Sequence, residues 1–315
     1  MLGVGDVSGF HHISVMANEV IEALEPWNGG VFVDGTLGGA GHSRLLLQAA
    51  AERGVKIKLI GFDRDPEALA AAAARLEEFG DQVELVQSNY RHLADVLEAR
   101  QWPPVNGVLV DAGVSSHQLD TPERGFSFQN DGPLDMRMGP DAQTVAELID
   151  RTDIKGLATI LGRYGEVRGA GRMARRIKEA RQAGQLETTA QLAALCGPRR
   201  HKERIHPATQ VFQGLRIAAN DELGGLEELV GDLGRVLAPG GRAAFISFHS
   251  LEDRIVKQGL RALVNPCTCP PGLPICACGK APEIKTLGKM IRPSQAEVDA
   301  NPRSRSAKLR VAERL

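Results

Sequence analysis

No part of this 315-residue chain is apolar for long. The longest wholly apolar run is Ala68–Ala74, far below the roughly 18 residues that a membrane-spanning helix needs. The opening segment, MLGVGDVSGFHH, has neither a basic stretch nor an apolar one, so a secretory leader is not expected. Cysteine is scarce, with five residues, four of them between 267 and 278. An odd, clustered set does not make the framework of a secreted disulfide-rich domain. These absences predict a cytoplasmic protein without a membrane partner. Excess charge is also missing: the formal net charge is −1, which taken whole argues against nucleic acid. Aromatics are few, at two Trp, two Tyr and nine Phe, so where they gather is informative.

What is present changes the picture. Hydrophobic residues make up 43% and charged residues 24%, enough for a sizeable core without staples. The length suggests two domains, or one with a large insertion. Glycine is abundant, 35 of 315, which points to backbone held close to a ligand or to many tight turns. The near-zero net charge hides a segregation. Residues 168–204 hold ten Lys/Arg against three Glu, and residues 280–315 hold nine against four Asp/Glu. Such a chain can present a basic face to phosphates. A solvated helix face with a basic tail would look the same.

The first third alternates strand-like and helix-like runs. Val31–Asp34, Lys56–Asp63, Val83–Gln87 and Val105–Asp111 read as strands, and His42–Arg53, Pro66–Phe79 and Leu93–Arg100 as helices. This alternation predicts right-handed βαβ units and a parallel sheet. Residues 112–140 read as a long loop, and 143–215 as helical with basic positions. The α/β pattern resumes near 216, with a helix ending at Pro239-Gly240-Gly241 and a strand over Arg242–Ser247. A short helix is expected from Leu251, then an aperiodic block over 265–306, then a closing edge strand over Ala307–Ala312. The simplest architecture is a doubly wound α/β domain interrupted by a helical insertion. Its parts are 1–115, an inserted substrate-binding unit at 116–215, and 216–315.

The most informative segment is Asp34-Gly35-Thr36-Leu37-Gly38-Gly39-Ala40-Gly41-His42. It follows a strand and opens a helix, as a nucleotide-binding glycine turn must. Asp63 ends the next strand, 22 residues after Gly41, where a carboxylate grips an adenosine ribose. Asp34 at the loop entrance would repel a pyrophosphate but suits a cation. S-adenosylmethionine, with one adenosine and no phosphate, therefore fits better than a dinucleotide. Asp111 ends the fourth strand, at the sheet edge where such folds bind ligands, and can accept from an amino group.

Two further stretches hold polar and aromatic residues together: Arg124–Met138, with Phe126 and Phe128, and Phe245–Arg254, with Phe248 and His249. Aromatic faces beside polar groups suit an unstacked base, although each Phe taken singly reads better as a core anchor. His249 is a candidate for catalysis, base recognition or structure. Cys267, Cys269, Cys276 and Cys278 form C-x-C-x₆-C-x-C. Four thiols this close could hold zinc, but the spacing is tighter than in common zinc motifs, so free or redox-labile thiols, without a metal, are the preferred reading. Cys196 reads as an ordinary buried thiol.

Taken together, these segments resemble one family, the bacterial 16S rRNA (cytosine-N4)-methyltransferases that modify a decoding-centre cytidine. The resemblance runs in order through HHISVM (11–16), DGTLGGAGHS (34–43), GFDRDP (61–66), DAGVSSHQLD (111–120), RGFSF, DGPLDMRM, IHPATQVFQGLRIAAND (205–221), SFHSLEDRIVK (247–257) and NPRSRSAKLR (301–310). Ala112 and His117 depart from its usual Leu and Pro. The resemblance implies a Rossmann-like class I methyltransferase sheet with an inserted all-helical domain. It implies S-adenosylmethionine held by Ala40, Gly41, His42, Asp63, Tyr90, Asp111 and Gln118, and 16S rRNA within the small ribosomal subunit as partner. It leaves room for a homodimer. The expected chemistry is in-line methyl transfer to N4, with Asp111 orienting the amine, His249 the second catalytic candidate, and no metal.

Overall fold

A computed structural model describes residues 14–199, 206–270 and 277–315. His11, His12 and Ile13 of the opening motif, Arg200, Lys202 and Ile205 near the end of the insertion, and Cys276 lie outside the described residues. Seven strands form one sheet: β1 (Gly30–Asp34), β2 (Ile57–Asp63), β3 (Val83–Gln87), β4 (Val105–Asp111), β5 (Leu237–Ser247), β6 (Ile284–Thr286) and β7 (Lys308–Arg314). Their order is β3-β2-β1-β4-β5-β7-β6. The first five are parallel, while β7 runs antiparallel to both β5 and β6. The expected α/β architecture with helices inserted after β4 is the one found.

Side-chain alternation along each strand builds the two layers. Val33, Val108, Val110, Ala243 and Phe245 pack on one face with Leu93, Leu97, Leu226, Leu229 and Val256. Phe32, Leu109, Ala244 and Ile246 pack on the other with Val20, Leu24, Leu46 and Leu47. A third cluster gathers Phe126, Met136, Leu148, Leu157, Ile177, Leu192, Val211 and Leu215. It belongs to the loop that carries Phe126 and Met136 and to five helices, Val145–Arg151, Ile154–Arg163, Ala170–Gln182, Thr189–Cys196 and Pro207–Asn220. The last of these runs through residue 215, where the sequence reading drew a boundary.

Several elements differ from expectation. The helix from Pro66 stops at Arg75, and a short 3₁₀ segment follows in which Gly80 adopts φ +51°. The helix read up to Pro239 is broken into Glu222–Gly231 and Leu233–Val236. Pro239-Gly240-Gly241 does not simply precede β5. Val105 pairs with Leu237 and Gly107 with Arg242, so residues 238–241 bulge out of the strand. The helix expected to be short spans Ser250–Val264. The closing strand is not at the edge, because β6 covers it. A three-residue strand in a Pro- and Cys-rich block leaves too short a pattern to be seen.

Candidate active site

The strand order reverses between β1 and β4, and ligands of doubly wound sheets bind in the crevice beyond the strand ends at that point. The glycine loop lies there, locked by its own hydrogen bonds. Gly35 N–H donates to Leu109 O at 2.8 Å and Leu37 N–H to Phe62 O at 3.0 Å. A Cβ on Gly35 would sit 3.0 Å from Tyr90 Cβ and 3.3 Å from Leu109 O, so a larger residue would push the loop off the sheet. Ala40 takes the left-handed conformation, φ +56°, just before the helix Gly41–Ala51. An alanine held there is strained, a cost commonly met at ligand-binding turns.

Three strand-end acids and His42, in the first turn of the helix Gly41–Ala51, gather around the loop. Asp34 is 1% exposed. Its Oδ1 accepts from Thr36 N–H at 3.1 Å and its Oδ2 from Ser43 hydroxyl at 2.7 Å. Burial raises its pKa, with His42 and these hydrogen bonds opposing. Asp34 therefore braces the glycine loop from within. Asp63 Oδ2 accepts from Gly38 N–H at 2.8 Å and Oδ1 from Asp65 N–H at 2.9 Å. Burial pushes its carboxyl up to about 6 despite both bonds. Each oxygen still has a lone pair to offer. Asp111 N–H donates to Thr36 Oγ1 at 2.7 Å, tying β4 to the loop. His42 Nε2 lies 2.8 Å from Val15 O, which can only accept, so Nε2 carries the hydrogen. Nδ1 then faces Asp111 Oδ2 at 3.8 Å.

Among the described residues, two buried side-chain polar atoms have no hydrogen-bond partner: Asp111 Oδ1 and His249 Nε2. They stand just beyond the ends of the neighbouring strands β4 and β5. Burial lifts Asp111 to about 6; His42 opposes this, while Asp34 and Glu252 add to it. His249 caps the helix Ser250–Val264, its Nδ1 accepting from Glu252 N–H at 3.3 Å. Its hydrogen therefore sits on Nε2. That atom is 2.9 Å from Glu252 Oε1, beside the carboxylate but not aligned as a hydrogen bond. Glu252 is 2% exposed. Burial alone would raise its carboxyl, but His249, Phe248 N–H and Arg216 outweigh that and hold it low.

The other expected residues are less central. Tyr90 backs Gly35, and its hydroxyl lies 3.5 Å from Glu222 O. Burial first, then the Glu222 and Glu252 carboxylates, hold its phenol above the ordinary range. Gln118 is buried, but its Oε1 accepts from Ser115 N–H at 3.0 Å and closes a capping box. Phe245 is in the sheet core and Phe126 in the helical cluster. Phe128 packs on Phe212 and His206, at centroid distances of 5.1 and 5.2 Å. Only Phe248, of these four, is half-buried at the strand ends, its ring 3.3 Å from where a Gly113 Cβ would be.

Residues passed over in the sequence join the inserted helices to the sheet domain or brace the insertion itself. Arg124 holds Asp65, Glu67 and Arg137 O. Arg64 holds Asp141 and Asn220 O. Asn220, 2% exposed, bonds Met136 O, Arg216 O and Met138 N–H. Glu252 carried one readable signal, its position three residues after a helix-capping residue.

Strand order, reversed last strand, glycine turn and strand-end acids define a class I methyltransferase. A family model, the MraW methylase family, matches residues 9–315. The chain is 51% identical over 315 residues to the ribosomal RNA small subunit methyltransferase H of Geotalea uraniireducens, covering 98% of this chain and 100% of that one. It is 52% identical over 312 residues to the protein of that name from Citrifermentans bemidjiense (97% and 99%) and 52% over 311 residues to that from Anaeromyxobacter dehalogenans (97% and 98%). The chain belongs to the MraW methylase family.

Proposed function

We propose that this protein transfers a methyl group from S-adenosylmethionine to the exocyclic N4 of a cytidine in the decoding region of 16S rRNA, in the cytoplasm and on the small ribosomal subunit. The observation that carries the reading is Asp111 Oδ1, a buried acceptor without a partner at the crevice between β1 and β4. Buried polar atoms are nearly always satisfied, so an orphan in such a place marks a ligand contact. An exocyclic amine supplies the missing donor.

The residues fit the donor molecule. Ala40, Gly41 and His42 would lie along it, Asp63 would take its ribose hydroxyls, Tyr90 would flank the adenine, and Asp111 and Gln118 would close the pocket. S-adenosylmethionine supplies, when bound, an already activated methyl group. The N4 lone pair of cytidine is delocalised into its ring and is a poor nucleophile. Asp111, accepting one amino hydrogen, turns that lone pair out of conjugation and aims it; such positioning is worth several kcal/mol, about 7–11 at the extreme. His249 Nε2–H is a donor suited to the cytosine O2 or N3. Its Nδ1 lone pair is already used by Glu252 N–H, so it orients the base rather than taking a proton. Residues 116–215 act as the RNA-binding unit, with the exposed Arg168, Arg172, Arg175, Arg176 and Arg199 as phosphate contacts.

The test is labelled methyl transfer to small ribosomal subunits from cells lacking this gene, alongside naked rRNA and wild-type subunits. Label in N4-methylcytidine, absent with wild-type subunits, is expected. Measurable donor binding with no label in any RNA would overturn the reading and direct the search to protein or small-molecule acceptors.

A further inference from the structure

The geometry points to a zinc site formed by the thiolates of Cys267, Cys269 and Cys278, which staples the loop between the helix Ser250–Val264 and β6. The three Sγ atoms all lie within 4.8 Å of one another. Cys267 and Cys278 are 3.8 Å apart at sulfur. Thiolates bound tetrahedrally at ~2.3 Å place their sulfurs about 3.8 Å from each other, whereas a bridge between them would need ~2.05 Å. Ala277 N–H donates to Cys269 Sγ at 3.3 Å, the kind of outer contact that supports a metal-bound thiolate. Packing does not explain the convergence, because Cys267 is exposed and the other two are half-buried, outside the three apolar clusters.

The staple has something to hold. No helix or strand occurs among the described residues between Val264 and Ile284. Beyond that loop, Glu283 N–H donates to Leu263 O and Leu315 N–H to Glu283 O, each at 3.0 Å. Ile284 of β6 is buried with Val256 and Leu260 of the same helix. Closing the loop with a metal offsets the entropy of fixing its ends. On binding, each thiol gives its proton to solvent and its sulfur to the ion. Cys276 lies outside the described residues and is not needed for the argument. The site is separate from Asp111 and His249, so its test does not depend on the methyl-transfer reading.

The full chain, purified under reducing conditions without chelator and desalted, should carry about one zinc by atomic emission. Cys267→Ser and Cys278→Ser should carry almost none, and Cys196→Ser as much as wild type, with circular dichroism confirming that all are folded. Cobalt(II) added to metal-stripped wild-type protein should give thiolate charge-transfer absorption and the intense visible bands of a tetrahedral centre, both lost in Cys269→Ser. Failure of the wild type to hold either ion overturns the site, as does zinc kept undiminished in the serine variants.

Discussion

In the reaction proposed above, Asp111 works in the form that is costly to the fold. Its carboxyl is raised from 3.8 to about 6, by burial above all and by Asp34 and Glu252 nearby. A pKa above the unfolded value means that the contribution to stability is full below about pH 4 and is lost as pH rises through about 6. At neutral pH the ionised group is an available acceptor and a destabilising charge. Asp111→Asn should therefore raise Tm at about pH 8, with the gain shrinking towards pH 4, while methyl transfer collapses; thermal melts across that range and the labelled assay read both. An Asn variant melting with the wild-type pH dependence would remove Asp111 as its source. Wild-type transfer should fall as pH drops through about 6. His249 separates capping from recognition. Asparagine is among the best N-caps, so His249→Asn should fold with near-wild-type Tm. Transfer should fall at least about tenfold, the worth of one hydrogen bond to a buried group. Unchanged transfer would make His249 a cap alone.

The helix Ala170–Gln182 shows how a charge run divides once folded. Lys178 Nζ donates to Ile149 O at 2.8 Å, and Arg181 pairs with Asp150 and Glu187 at 2.8 and 2.6 Å. These two fasten the helix Val145–Arg151. Arg172, Arg175 and Arg176 are exposed. Changing those three to Glu should weaken RNA binding and flatten its salt dependence by about 2 units of log–log slope, at ~0.7 per lost single-strand phosphate contact. Donor affinity, read by calorimetry, should not move; an equal fall in both would make the helix structural. The basic C-terminal segment divides likewise. Lys285 pairs with Glu313, Arg303 with Asp120, and Lys308 and Arg310 with Asp253. Much of its charge is spent inside the fold.

Across the whole molecule, the inserted helices are tied to the sheet by a few polar side chains. Arg124 and Arg64 make the ties, to Asp65 and Glu67 and to Asp141 and Asn220 O, while Asn220, with both ends of its amide bonded and almost no exposure, fixes the end of the helix Pro207–Asn220 to Met136 and Met138 within the insertion. Asn220→Ala leaves Met136 O and Met138 N–H to lose their partner, at about 1–3 kcal/mol. The expected result is a lower Tm and a larger loss of transfer than of donor binding, because the insertion's own packing around Met136 and Met138 would loosen while the glycine loop stays held by its own bonds. Equal losses would show that Asn220 supports the donor pocket as well. In the described residues no helix is long and apolar enough to cross a membrane.

Much of this was legible in the chain because its causes are local. A short β-rich apolar run marks a strand wherever the strand ends up, and a glycine turn between strand and helix reads the same in any neighbourhood. Those signals were enough for β1 to β4, the glycine loop, Asp63 and Asp111 at their strand ends, and the break where helices replace strands. The rest depends on partners far away in sequence. Nothing within Lys308–Arg314 says that it pairs with both β5 and β6. Nothing in the basic runs says which charges meet an acid 30 to 180 residues distant, as Arg181 meets Asp150 and Arg303 meets Asp120. Nothing near Asp34 in sequence says that Ser43 and Thr36 N–H enclose its carboxylate, or that an oxygen of Asp111 is left without a partner. Burial and hydrogen-bond satisfaction are properties of the packed chain, and they choose which acid is left facing a ligand.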